Sequence, residues 1–272
     1  MRVSVVVPRC ELLHIAICCA ALAVAGCDRE LEEAKPASSD GTIAISSPRA
    51  QPYEERDLVA MGRLRGTVLI DGRAPLDTTI RPATDQAVCG SAFQDQTLVA
   101  QGSRLGGVIV WLEDVRNGKR LPLDRRFEVT NERCRIVPRT QAVIAGGTLN
   151  VRSLDPVAHR TRVLHRESGE TAALVSQHDV GQVVPVEDAL SKPGLLEVRC
   201  DIHPWTRAWI AVFDHPYFTV SLRDGGFAID SVPPGTYRIV AWHERFGRVE
   251  ESVSITDGQT GTVTLRVRGA EP

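Results

Sequence analysis

Leu195-Leu196-Glu197-Val198-Arg199-Cys200-Asp201-Ile202-His203-Pro204-Trp205-Thr206-Arg207-Ala208-Trp209-Ile210-Ala211-Val212-Phe213 reads as two strand-forming runs joined by a short polar loop. The second run is continuously apolar, as expected of a strand buried on both faces. Outward from this pair the same texture recurs. Leu64 to Ile70 meets a turn at Asp71-Gly72, Gly107 to Leu112 is apolar, and Phe127 to Thr130 and Thr148 to Val151 alternate. Short strands between Gly, Pro and Asp turns, with no long amphipathic helix, predict an all-β chain of sandwich or barrel type.

The loop carries the chemistry. A thiol at Cys200 and an imidazole at His203, three residues apart on a tight turn, can face one point. His159 offers a second imidazole. Two histidines and one cysteine make the trigonal set of a blue-copper site, which usually adds a weak axial ligand. Zinc held by three ligands and a water is the competing assignment. His165 and His178 lie in polar sequence and read as solvated. His215 and His243 read as hydrogen-bonded structural residues near a domain junction, His215 with the option of touching a ligand from behind.

Val198 to Val212 resembles the C-terminal ligand loop of cupredoxins, and Asn150 to His159 resembles the strand and turn that bring their first histidine. The resemblance covers roughly residues 125–215. It implies a cupredoxin-like Greek-key sandwich over residues 63–216, with one copper ion held by His159, Cys200 and His203 and used for one-electron transfer. Two positions depart from the family pattern. Thr206 stands where methionine is usual, and the chain's only methionines, Met1 and Met61, are elsewhere. Thr206 or a carbonyl is then the weak axial candidate, and loss of the thioether favours Cu(I). Arg160 follows His159 where an ordering asparagine is common. With Cys200 assigned to the metal by this resemblance, Cys89 and Cys134 are expected to form a disulfide.

Residues 217–268 resemble a carboxypeptidase regulatory-like, transthyretin-like β-sandwich. Asp224-Gly225-Gly226-Phe227, Val232-Pro233-Pro234-Gly235-Thr236-Tyr237 and Ala241-Trp242 carry that likeness, a texture shared with the β domain of some polysaccharide lyases. The motifs imply a fold and no activity. Gly66-Thr67-Val68 with Gly72 and Pro75 has the same texture and fits either sandwich.

The N-terminus has Arg2 and Arg9, an apolar run from Leu12 to Ala25, and small residues before Cys27. That is the pattern of a secretory signal, too short to span a membrane. Val24-Ala25-Gly26-Cys27 resembles a bacterial lipobox. It implies cleavage after residue 26, acyl chains on Cys27 and a place on the periplasmic side of the cell envelope. Asp28 resembles an inner-membrane retention signal. Residues 27–62, polar and proline-containing, read as a disordered tether. In the oxidising envelope thiols tend to pair. Of the seven cysteines, Cys10, Cys18 and Cys19 leave with the signal and Cys27 is acylated, so three remain and one needs another role.

The net charge is −2 with both signs interspersed, which gives no basic stripe for nucleic acid. No nucleophile–base motif or open carboxylate set points to an enzyme. The expected partners are the membrane, through the lipid, and a redox protein. The competing functions are a non-redox envelope scaffold or a carbohydrate- or protein-binding lipoprotein with a degenerate metal site, and a copper chaperone or store.

Overall fold

Alternation of apolar and polar residues sets most of the strands, and the uninterrupted apolar runs sit between two packed layers. The computed structural model describes residues 52–75 and 78–269. The signal segment, the lipid site at Cys27, Asp28 and the tether as far as residue 51 lie outside them. Apart from two-residue bridges, the described residues begin with β1 (Gly62–Asp71), the short helix α1 (Gln86–Cys89), β2 (Val99–Gln101), β3 (Arg104–Gly106) and β4 (Ile109–Leu112). It continues through β5 (Arg126–Glu132), β6 (Arg135–Val137), β7 (Thr140–Ile144), β8 (Thr148–Ser153) and β9 (His159–His165). Then come β10 (Thr171–Gln177), β11 (Val183–Val186), β12 (Gly194–Cys200) and β13 (Arg207–Phe213). The last strands are β14 (Phe218–Val220), β15 (Gly226–Val232), β16 (Gly235–His243), β17 (Gly247–Ile255) and β18 (Thr260–Arg268). The chain is all-β, as expected.

Strands β5 to β13 form one sandwich. Its sheets run β6-β5-β8-β11 and β7-β13-β12-β9-β10. The pairs β5–β8 and β7–β13 are parallel and the other neighbours antiparallel. The inward faces supply Val129, Leu149, Val151, Val163, Leu196, Val198 and Ile210 to one core. No described helix is long and apolar enough to cross a membrane.

The second sandwich takes strands from both ends of the chain, which differs from the expected division into 63–216 and 217–268. Its sheets run β14-β4-β16-β17 and β15-β1-β3-β2, with β18 on the other side of β1. Strand β1 pairs with β15 on one edge and, in parallel from Arg63 to Asp71, with β18 on the other. Without it β15 and β18 would have no common neighbour, so the C-terminal strands cannot close this sheet alone. Residues 126–213 are therefore an insertion between β4 and β14. At Gly66 the ring of Phe227 lies where a Cβ would be, which is why β1 carries glycine there.

The expected tether also ends earlier than residue 62. The Tyr53 hydroxyl donates to the Lys119 carbonyl at 2.7 Å, and Glu54–Glu55 pairs in parallel with Asn117–Gly118.

The two sandwiches meet on the outer face of β12 and β13. Leu195, Trp209, Ala211 and Phe213 pack there against Ile109, Trp111, Val240 and Trp242. Three of the four tryptophans thus lie at the junction, which fixes the two sandwiches to each other.

Candidate metal centre

Strand pairing brings the expected ligands together. Strands β9 and β12 are antiparallel with Thr161 opposite Cys200, so the start of one meets the end of the other. His159 and Thr161 point inward and Arg160 outward, the period of a strand. The turn after Cys200 then places His203 beside both. The Cys200 Sγ lies 3.7 Å from His159 Nδ1 and 3.6 Å from His203 Nδ1, and the two nitrogens are 3.2 Å apart. Cys200 is 1% exposed and neither imidazole is exposed at all.

These spacings suit one ion. A trigonal centre with about 2.0 Å to nitrogen and about 2.3 Å to sulfur needs donors roughly 3.5 Å apart (N to N) and 3.7 Å apart (N to S). A thiolate with two imidazoles is a donor set for copper or zinc. The residues present therefore fit the group that the sequence implied.

Both outer nitrogens are engaged. His159 Nε2 is 2.9 Å from an Asp155 carboxylate oxygen, and His203 Nε2 is 3.1 Å from one of Asp85. Metal-binding histidines characteristically donate their second N–H to such a carboxylate, which fixes the ring and raises its basicity. Asp155 is itself held. It accepts the backbone N–H groups of Arg133 and Cys134, the two residues that turn β5 into β6. Both have positive φ, 51° and 53°, as a two-residue hairpin turn of this hand requires, although neither is glycine. Asp85 also has a positive φ, 52°, and precedes α1 without capping it, because its carboxylate is turned to His203. The Cys89–Cys134 disulfide joins the end of α1 to that hairpin turn, so one bridge ties together the backbone carrying both carboxylate contacts. It closes a 45-residue separation, worth about 2–4 kcal/mol.

The charges inside the pocket are coupled. Burial works to raise the Cys200 thiol, but hydrogen bonds from His159, His203 and the Arg160 and His203 amides outweigh it and bring the thiol down to about 5. Burial works to lower His159, but Asp155 and Cys200 outweigh it and raise the imidazole to about 9. The two opposite shifts favour the thiolate–imidazolium form of the Cys200–His159 pair.

The two departures from the family pattern have different outcomes. Arg160 contributes its amide, 3.4 Å from Cys200 Sγ, while its guanidinium lies outside near Asp201. Thr206 is buried, but its hydroxyl accepts the Ile136 N–H at 2.7 Å and its amide donates to the His203 carbonyl at 3.0 Å. Those bonds pin the loop to β6. Trp205 adds a further tie, its indole N–H donating to the Cys134 carbonyl at 3.2 Å. Behind the site, Asn131 bonds Thr161 at 2.9 Å and Gln177 at 3.1 Å, linking the two sheets.

His215 and His243 are buried outside the ligand set. The Nδ1 of His215 accepts the Tyr217 amide, and that of His243 accepts the Arg245 amide. Burial pushes His243 down to about 4. His178 is exposed, and His165 is half-buried at the end of β9. Sequence reasoning missed Asp155 and Asp85. Asp155 stands four residues before His159, a spacing that could have flagged it, whereas Asp85 has no local signal.

Residues 204–263 match the family model of polysaccharide lyase family 4, domain II. No curated protein matches the chain. Among solved structures, amicyanin from Paracoccus versutus is similar at 16% identity over 34% of this chain and 85% of that one, with a TM-score of 0.29. A purple cupredoxin from Nitrosopumilus maritimus is similar at 16% identity over 32% of this chain and 99% of that one, TM-score 0.27. A copper-containing nitrite reductase from Thermus scotoductus is similar at 18% identity over 44% of this chain, TM-score 0.29, and the overlap spans about a quarter (26%) of that enzyme. The donor geometry stands independently of these likenesses.

Proposed function

We propose that this chain is a cupredoxin-like copper protein that carries single electrons in the cell envelope, lipid-anchored at Cys27 on the periplasmic side. The observation that carries this reading is the buried Cys200–His159–His203 triangle, with donor spacings of 3.2 to 3.7 Å and a carboxylate behind each imidazole. Copper would supply a one-electron couple. The protein's part is to hold the donors in nearly the same place whichever oxidation state is present. Asp155 and Asp85 hold the ring planes, Arg160 and His203 amides stabilise the thiolate, and Thr206 with Trp205 fixes the loop.

The carboxylates also bear on the missing thioether. Its loss favours Cu(I), while two imidazoles made more basic by carboxylate partners favour Cu(II). The two influences oppose each other. A carrier is the proposed role rather than an enzyme, a reading supported by the burial of all three donors, Cys200, His159 and His203.

The test is titration of the purified metal-free protein with Cu(II). An intense visible band from thiolate-to-copper charge transfer should appear and saturate at one equivalent, with reversible one-electron voltammetry. Equal spectra for wild type and Cys200→Ser, with no bound copper in either, would remove this reading.

A further inference from the structure

A second group of soft donors touches the first. The Cys89 and Cys134 sulfurs and a ring nitrogen of His203 all lie within 4.8 Å of one another. The three residues are 6%, 0% and 0% exposed. His203 is thus common to two sets, one containing Cys200 and His159 and the other containing the disulfide. We propose that reduction of the Cys89–Cys134 bridge opens a second soft-metal site, in which both thiolates and the His203 imidazole take a monovalent or divalent thiophilic ion. The inference rests on the copper reading for the physiological metal, and on the second cluster alone for the site.

Three features support it. Two thiolates and an imidazole form a donor set for Cu(I) or zinc. Two thiolates on one ion lie roughly 3.7 Å apart. Side-chain rotation reaches that separation from Cα atoms 5.2 Å apart, with the backbone in place. That backbone is held independently of the bridge. Asp155 binds the Arg133 and Cys134 amides, Trp205 binds the Cys134 carbonyl, and the Cys89 amide donates to the Asp85 carbonyl.

The opening step is thiol–disulfide exchange with a dithiol. A dithiol thiolate attacks the sulfur of Cys89, the less buried of the two residues, and the Cys134 thiolate leaves. The second dithiol sulfur then displaces Cys89, which leaves as its thiolate. The dithiol becomes a cyclic disulfide, having lost two electrons and two protons. The bridge has gained them as two thiols, and metal binding releases the protons to solvent. The pocket then passes from one available thiolate to three, which suits retention of soft ions when the surroundings become reducing.

The test uses the full chain and Cd(II), whose thiolate charge-transfer absorbance counts sulfur ligands. Protein with the bridge intact is compared with protein reduced by a phosphine, freed of phosphine and kept anaerobic. Reduction should raise the absorbance about three-fold, as one thiolate becomes three. Reduced Cys200→Ser should keep about two-thirds of that signal and lose it on reoxidation. Cys89→Ser/Cys134→Ser should stay at the level of the oxidised wild type under both conditions. An unchanged signal on reducing wild type overturns the proposal, and so does loss of the folded circular-dichroism spectrum on reduction. If instead the Cys200-dependent signal is missing from oxidised protein while reduction still adds two thiolates, the copper reading fails and this one stands.

Discussion

Strands β12 and β13 serve two regions with opposite chemistry. Leu195, Trp209, Ala211 and Phe213 face the split sandwich in an apolar cluster, with the Arg139–Glu244 ion pair at 2.7 Å as its charged neighbour. At the far end of the same strands, Cys200 and His203 sit with His159, Asp155, Thr206, Asn131 and Gln177, all buried and polar. The junction is held by apolar area, which is non-directional and close to additive. The pocket is held by directed bonds from distant segments: Asp85, 118 residues from His203, and Ile136, 70 residues from Thr206. Stability and metal affinity should therefore respond to different residues.

The largest separation is expected from the junction. Trp209→Ala should cost about 3–5 kcal/mol of unfolding free energy, read by denaturant titration, with copper affinity within a few-fold of wild type. A comparable loss of copper affinity would mean that the regions are not separable. Next come the carboxylates. Asp155→Ala should lower copper affinity about 10–100-fold, and Asp85→Ala should act in the same direction. The Asp155 variant should be the less stable of the two, because the Arg133 and Cys134 amides lose their acceptor. Competition titration with a chelator, set against thermal melts, distinguishes these outcomes.

The smallest expected effect is a pH dependence confined to the pocket. Cys200 falls from 9.0 unfolded to about 5 folded, so its contribution is complete above pH 9 and disappears as pH falls through about 5. His159 rises from 6.5 to about 9, so its contribution is complete below pH 6.5 and disappears as pH rises through about 9. The two slopes cancel between about pH 6.5 and 9, so the melting temperature of the metal-free protein should hold across that window and fall as the pH drops from about 6.5 to 5. Cys200→Ser should flatten the acid side, whereas Trp209→Ala should shift the curve down without changing its shape. Within the window, metal uptake should release about one proton from this pair, that of His159, measurable by calorimetry in buffers of different ionisation enthalpy.

The ligand loop was legible because local rules write it. The apolar runs at 195–200 and 208–213 give the strands, and the Cys200–His203 spacing gives the turn. His159 came from the resemblance of Asn150 to His159 to a strand and turn that bring a first histidine ligand. The carboxylates were less legible. Asp155 is four residues from His159, but its anchoring on the Arg133–Cys134 turn depends on a hairpin elsewhere. Asp85 lies in a segment whose only local marks are a short helix and a cysteine. The division into sandwiches was only partly legible. Gly66-Thr67-Val68 showed a strand without showing its partner, and its partners Val263-Thr264-Leu265 lie almost 200 residues away, at offsets of 197 in the parallel register. Strand texture is local, and sheet membership is set by packing.

X-ray absorption at the copper edge of the loaded protein tests the shared site most directly. One sulfur and two imidazole nitrogens should be seen around the ion in wild type, with the sulfur scatterer absent in Cys200→Ser and one imidazole absent in His159→Ala. A copper environment of nitrogen and oxygen alone, identical in all three proteins, would contradict the assignment of Cys200, His159 and His203.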